Sequence, residues 1–352
     1  MSEVMRGELP GATEGETSST RGAAPAARTY AYFPGCKIAH HLPQYGASVR
    51  AVCAAADIGL EDVEFNCCGW PVRHESEEAS VYSAVRNFAL AAREGLPILT
   101  PCKCCFGNLQ HARSRLRRDP ALAERTAKRL AGDGLTLPAG IGRSAAESGG
   151  TKPGGLNAPE ADTLAANAGG SVRSDGSDAD VEVVHLLTAL DRDVGERGLA
   201  DLVTRPLDGL RVACHYGCHA LRPATVTHFD DPLAPTVFER VIAAAGAEPV
   251  GWDLRLECCG QPLRGREDAV SEALMRKKLE DAAASGAAAV ATACTYCQLQ
   301  FDVERARLPR GDALHAAPPA VLFTQLLGLA FGLDAEELGL ERNRTGFAWP
   351  RG

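Results

Sequence analysis

The sequence lacks the marks of a nucleic-acid or membrane protein: no excess of positive charge, no apolar leader and no hydrophobic run long enough to span a bilayer. Its 352 residues carry a formal charge of -8. Neutralising phosphates takes a clustered surplus of Lys and Arg, so nucleic acid is not an expected partner. One local basic run, Arg113, Arg115, Arg117, Arg118, Arg125, Lys128 and Arg129, reads as a solvated helix face. Residues 1–28 are polar and partly acidic, without the apolar centre of a signal peptide, and are expected to form a disordered tail. The most apolar stretch, Val321 to Leu333, is too short to cross a membrane and is interrupted by Thr324 and Gln325, so a buried helix is expected there. Aromatics make up only 5% of the chain, yet hydrophobic residues reach 45%. That is enough for two compact domains or one paired α/β unit. These absences point to a cytoplasmic globular protein.

Cysteine is what the sequence has in abundance. In a reducing compartment, thirteen cysteines read as metal ligands or redox groups in preference to structural disulfides. Ten of them recur in the same order. The first half runs YFPGC at Cys36, FNCCG at Cys67 and Cys68, and TPCKCC with Cys102 and Cys105. The second runs HYGC at Cys218, LECCG at Cys258 and Cys259, and ATACTYC with Cys294 and Cys297. The adjacent pairs are offset by 191 positions and the CxxC pairs by 192, which is the signature of an internal repeat.

The coarse secondary structure repeats with the cysteines. Thr29 to Phe33 and Leu210 to Ala213 read as short buried strands running into glycine-containing loops that carry the first cysteine. Helices follow, marked by Val49, Val52, Cys53 and Ala56 in one half and by Val237, Val241, Ile242 and Ala245 in the other, with Gly246 placed for a left-handed cap. A second strand leads to each CCG, a second helix spans Ala79 to Arg93 or Asp268 to Ala284, and a third strand delivers the CxxC. Alternating strands and helices predict an α/β fold: two modules, each a small mainly parallel sheet flanked by helices, related by pseudo-two-fold symmetry. Ligands in such folds collect at the carboxyl ends of the strands, where all three cysteine motifs fall. The expected divisions are a first module over 29–131, a disordered Gly/Ser/Ala/Asp-rich insertion over 132–180, a closing helical segment over 181–209 (VVHLLTAL), a second module with its closing helix over 210–340, and a C-terminal tail over 341–352.

Thiolates are soft ligands that favour iron–sulfur clusters, zinc or copper(I). Five cysteines per half, including a vicinal pair, exceed a tetrahedral zinc site and depart from the usual four-cysteine cluster. A cluster with additional iron coordination fits the count better. Gly69 and Gly260 would let the backbone turn tightly around inorganic sulfur, or simply form strand-to-helix turns. A thioredoxin-like dithiol at either CxxC would not account for the recurring CCG and upstream cysteine. Cys53, Cys104 and Cys214 have no counterparts in the repeat and read as packing residues. His40, His41, His215 and His219 flank the first cysteines; His219 is the preferred hydrogen-bond donor to cluster sulfur or a bound thiolate. Lys37 and Arg222 are candidates for balancing anionic charge, against a plain surface role.

On HYGCHALRP from His215, ECCG from Glu257, TYCQLQFD from Thr295 and TQLLGLAFG from Thr324, the sequence resembles the B subunit of heterodisulfide reductase, of the CCG or cysteine-rich-domain family. The resemblance covers nearly all of the chain outside the N-terminal tail and the insertion, which is itself unusual. A double CCG pattern alone also resembles subunits of lactate, glycolate and glycerol-phosphate oxidation systems and of some fumarate reductases. The resemblance implies two noncubane [4Fe-4S] clusters, one on Cys36, Cys67, Cys68, Cys102 and Cys105, the other on Cys218, Cys258, Cys259, Cys294 and Cys297. It further implies reduction of a small-molecule disulfide, such as that of coenzymes M and B, lying between the clusters. Electrons would arrive through a ferredoxin-like C subunit and a flavin-containing A subunit. The rival from another class is a non-catalytic electron-transfer or zinc-stabilised subunit of a larger dehydrogenase.

Overall fold

Short runs of buried aliphatic and aromatic residues build two sheets in which every strand is parallel to its neighbours. The computed structural model describes residues 28–142, 180–347 and 349. In the first half β1 (Thr29–Tyr32), β2 (Gly59–Asp62), β3 (Ile98–Thr100) and β4 (Val183–His185) are ordered β2-β1-β3-β4. In the second, β5 (Arg211–His215), β6 (Glu248–Val250), β7 (Ala289–Thr292) and β8 (Ala320–Leu322) repeat that order as β6-β5-β7-β8. The central strands are buried on both faces, as parallel sheets covered by helices must be.

Helices Pro43–Ala55, Glu77–Glu94 and Lys103–Arg118 cover the first sheet, and Val237–Ala244 and Asp268–Ala284 the second. Helix Glu77–Glu94 is capped by the Ser76 side chain, which accepts from the Ala79 amide, and ends at left-handed Gly95. Gly246 closes Val237–Ala244 as its position suggests, at φ 82°. The basic run lies on helices Lys103–Arg118 and Pro120–Gly132 and is largely paired on the surface, Arg115 with Glu77, Arg117 with Asp180 and Arg125 with Glu78.

Three expectations need correction. The VVHLLTAL segment is not helical throughout, because Val183–His185 pairs with β3 as a fourth strand before the helix Leu186–Ala189 begins; β8 does the same ahead of helix Phe323–Ala330. Runs of three buried residues carry no periodicity from which pairing can be read. The insertion begins later than 132. Leu135 and Ile141 are buried and Ala139–Gly142 is helical, while Gly140 packs so closely on Asp180 that a Cβ there would meet the Asp180 Cα at 2.5 Å. Residues 140 and 180 therefore lie against each other; the rest of the expected insertion, and the expected tail over 1–28 apart from Arg28, lie outside the described residues. Finally, the C-terminal stretch is pinned through residue 345. Asn343 Nδ2 donates to Gln325 Oε1 at 2.9 Å, and the Thr345 amide and hydroxyl donate to the buried Asp302 carboxylate at 2.8 Å.

The two halves share a polar and aromatic seam. Ser48 Oγ and Thr324 Oγ1 lie 2.7 Å apart, Tyr45 stacks edge-on against Phe323, and the Lys103 amide donates to the Ala293 carbonyl at 3.2 Å. His185 Nε2 donates to the same Ala293 carbonyl at 3.3 Å, while its Nδ1 accepts from the Leu187 amide at 3.1 Å. That pattern requires the neutral ring.

The glycine after each CCG is held by steric contact. Gly69 and Gly260 have φ of 90° and 88°, and a Cβ would meet the carbonyl oxygens of Ser80 and Ser271 at 2.4 and 2.6 Å. Gly69→Ala and Gly260→Ala are each expected to cost about 3 kcal/mol in urea unfolding. Gly95→Ala, left-handed but with nothing within 4 Å, should cost about 1 kcal/mol. For His185, burial first and the Lys103 charge next lower the ring to about 3, below its unfolded value of ~6.5. As pH falls the unfolded chain binds that proton first. The contribution is complete above the unfolded value and is lost as pH drops toward the folded one, at about 1.4 kcal/mol per pH unit. Urea unfolding from pH 7 toward pH 4 should show this slope, and His185→Phe should flatten it by one proton; an unaltered slope would contradict the assignment.

Candidate metal centre

Each sheet delivers its cysteines at the carboxyl ends of its strands: the first after β1 or β5, the pair after β2 or β6, and the CxxC directly after β3 or β7. The thiols touch in two strings of identical order. In the first, Cys36 Sγ lies 3.7 Å from Cys67 Sγ, Cys67 contacts Cys68, Cys68 contacts Cys105 and Cys105 contacts Cys102. In the second, Cys218 contacts Cys258, then Cys259, Cys297 and Cys294 in turn. The strings meet where Cys102 Sγ and Cys294 Sγ approach to 3.9 Å. Cys36 and Cys67, like their counterparts Cys218 and Cys258, are half-buried; the other six are buried, and all thirteen cysteines are free of disulfides. Among the described residues no three ligating side chains converge as a lone metal ion requires; the sulfurs run edge to edge instead.

Backbone amides reinforce the order. The Gly69 amide donates to Cys67 Sγ at 3.5 Å and the Gly260 amide to Cys258 Sγ at 3.4 Å, while the amides of Trp70 and Gln261 face Cys68 and Cys259. Hydrogen bonds to sulfur favour the thiolate. The thiols of Cys105 and Cys67, then the Trp70 amide, bring Cys68 down to about 5, whereas the hydrogen bond with Cys67 and then burial push Cys36 well up.

Beside the strings lie two cavities. One is lined by all five thiols of the second string; the other by Cys36, Cys68 and Cys105 of the first. Cys104 and Tyr296 line both. These two residues occupy equivalent positions inside the two CxxC motifs. Cys104, which has no counterpart cysteine in the repeat, is more than the packing residue that absence suggests. Its Sγ lies 3.5 Å from Cys294 and 3.0 Å from His219 Nδ1, at the junction of the strings. His219 is half-buried against Trp70, with ring centroids 3.9 Å apart, and desolvation followed by the Arg73 charge lowers it to about 4. Cys53 and Cys214 pack in the core, and His40, His41 and Arg222 are exposed. Lys37 lines the first cavity, 5.8 Å from the Tyr296 ring.

The residues present fit a thiolate-bound inorganic cluster. Gly35 and Gly217, at φ of 69° and 68°, keep the inner side of the thiols clear: a Cβ would stand 2.7 Å from Cys105 Sγ at the first and 3.6 Å from Cys297 Sγ at the second. His215, one turn of chain before Cys218, is buried with neither ring nitrogen partnered. A buried, unsatisfied ring beside a cluster of thiols points to a missing polar group.

A cysteine-rich domain model matches residues 30–110 and 212–302. The chain belongs to the cysteine-rich CCG family. It is 30% identical to the 8-methylmenaquinol:fumarate reductase membrane anchor subunit of Wolinella succinogenes, over 90% of this chain and 96% of that protein. It is 28% identical to the B subunit of the ferredoxin/F(420)H(2)-dependent CoB-CoM heterodisulfide reductase of Methanosarcina acetivorans, over 88% and 92% of the two chains. A protein of Archaeoglobus profundus named as similar to the heterodisulfide reductase B subunit matches at 27% over the same shares. A hypothetical protein from Helicobacter pylori shares the fold, with a TM-score of 0.64 over 93% of this chain at 13% identity; the chain spans 54% of that structure's length. CCG-family membership and relatives named as reductase subunits support an iron–sulfur subunit of a multisubunit reductase. Among the described residues no helix is long and apolar enough to cross a membrane.

Proposed function

We propose that the chain is the disulfide-reducing subunit of a heterodisulfide-reductase-like complex. Cys36, Cys67, Cys68, Cys102 and Cys105 hold one noncubane [4Fe-4S] cluster, and Cys218, Cys258, Cys259, Cys294 and Cys297 hold another. The observation that carries this reading is the pair of identical thiol strings, meeting at Cys102 and Cys294 and flanked by cavities that share Cys104 and Tyr296. Bound clusters supply two single electrons and iron to take up the sulfurs of a cleaved disulfide. The chain's own residues do the remainder. The Gly69 and Gly260 amides donate to Cys67 and Cys258, and Tyr296 and Trp70 wall the junction between the strings. Neutral His219, with Nδ1 3.0 Å from Cys104 Sγ, can donate a ring N–H hydrogen bond to a departing thiolate. A disulfide reaching both cavities passes Cys104 and Tyr296. The donors that fit this role are a ferredoxin-like C subunit and a flavin-containing A subunit, consistent with relatives named as members of larger complexes.

The similarity to a fumarate reductase subunit favours a second reading, an electron-transfer protein that cleaves no disulfide. Iron, acid-labile sulfide and zinc analysis of anaerobically purified protein, with reduction of coenzyme M/coenzyme B disulfide by a low-potential dye, separates the two. The expected result is iron and sulfide in equal amounts, loss of about half of both in Cys259→Ala, abolished disulfide reduction in that variant, and wild-type behaviour in Cys53→Ala. Stoichiometric zinc without iron, or full activity in Cys259→Ala, would overturn the proposal. Full iron loading with electron transfer but no disulfide cleavage would establish the second reading.

A further inference from the structure

The two thiol strings share an order but not their surroundings. Aligning the halves on their cysteines sets Lys278 against Asn87, Lys103 against Thr295 and His215 against Phe33. Lys278 is 2% exposed; its ammonium donates to the Leu254 carbonyl and lies 5.1 Å from the Trp252 ring centroid. Lys103 is 1% exposed and crosses the seam. It stands in the first module's CxxC, yet it lines the cavity of the second string, and its Nζ donates to the His215 carbonyl at 3.3 Å. Among the described residues neither ammonium has a carboxylate within ion-pair distance. Burial lowers both lysines to about 8, and ionised sulfur at Cys297, with Cys294 next for Lys103 and Cys259 next for Lys278, would oppose that. A buried ammonium without an anion is costly, so the sulfurs of the second string, once ionised on a cluster, would be its counter-charge. The equivalents beside the first string are uncharged. The Asn87 amide donates to the Cys67 carbonyl at 3.2 Å, and Thr295 Oγ1 lies 3.2 Å from Cys102 Sγ. Lys37, beside the first cavity, is partly exposed and correspondingly screened.

We propose that the two centres are electrostatically unequal by construction: Lys103 and Lys278 make the second the electron-accepting member of the pair, so an electron shared between the modules settles there. Positive charge buried beside a cluster stabilises its reduced, more negative form and raises its potential. The arrangement sets a direction for transfer across the Cys102–Cys294 contact, from the module that contributes Lys103 to the module that uses it. The inference rests on the proposed pair of clusters.

The test is an anaerobic redox titration of the iron-loaded full-length chain, followed by electron paramagnetic resonance, with signals assigned through Cys68→Ala and Cys259→Ala. The expected result is that the centre reduced first is the one lost in Cys259→Ala. Lys278→Met, an apolar replacement of similar volume that buried sites accept well, should shift that centre's reduction equilibrium at least tenfold toward the oxidised form, 59 mV for one electron. The other centre should move less than threefold. If the centre reduced first is the one lost in Cys68→Ala, or if Lys278→Met leaves the second centre unmoved, the inference is overturned while the cluster reading stands. Absence of iron from the wild-type chain would overturn both, and iron analysis reveals it before any titration. The two wild-type potentials decide the order even where a variant does not fold.

Discussion

Sulfur atoms strung side by side in a largely buried site cannot all carry charge unless a cation lies among them. The rest of the molecule is arranged around that constraint. Along each string some thiols are driven toward the thiolate and their neighbours away from it: Cys68 goes down and Cys105 up, Cys258 down and Cys218 up. The protons are shared out because there are too few positive groups to neutralise ten thiolates. In the proposed reading, bound iron would let every sulfur of a string ionise together; the fold already collects the sulfurs side by side.

The parallel sheet makes that collection possible. Strands that all point one way bring their carboxyl ends to one edge, so residues as far apart in sequence as Cys36 and Cys105 become neighbours without a long loop. Doubling the sheet with an unchanged strand order, and joining the copies where Lys103 meets Ala293, places the two CxxC motifs back to back. The inner residues of each motif then serve the opposite module. Lys103 reaches toward the second string and Thr295 toward the first, while Cys104 and Tyr296 face both cavities. The halves are therefore not independent units that happen to be linked; each completes the other's site.

Most of the fold is legible in the sequence because repetition multiplies weak signals. Three strands per half, the helices over Glu77–Glu94 and Asp268–Ala284, and the left-handed Gly246 all follow from pattern and spacing. The fourth strands are not legible: Val183–His185 and Ala320–Leu322 are too short for a period, and only pairing with β3 and β7 distinguishes them from the helices they precede. Motifs that carry the family resemblance turn out in part to be architecture. In TYCQLQFD, Gln298 donates to the Ala320 carbonyl, Gln300 holds Ser271 and Asp302 anchors Thr345; in TQLLGLAFG, Thr324 meets Ser48 across the seam. Cys104 escapes a comparison of the halves because its partner in the repeat is Tyr296, and a search for like residues cannot find a pair whose members differ. Lys103 and Lys278 give no signal at all, since a lysine in sequence looks exposed until packing buries it.

The account stands on two separate iron sites, one per string. The most direct measurement is anomalous X-ray scattering at the iron edge from anaerobically grown crystals of the intact chain. The account predicts two iron peaks, one enclosed by Cys36, Cys67, Cys68, Cys102 and Cys105 and one by Cys218, Cys258, Cys259, Cys294 and Cys297. Iron confined to one string, or a single zinc signal in place of either peak, would contradict it.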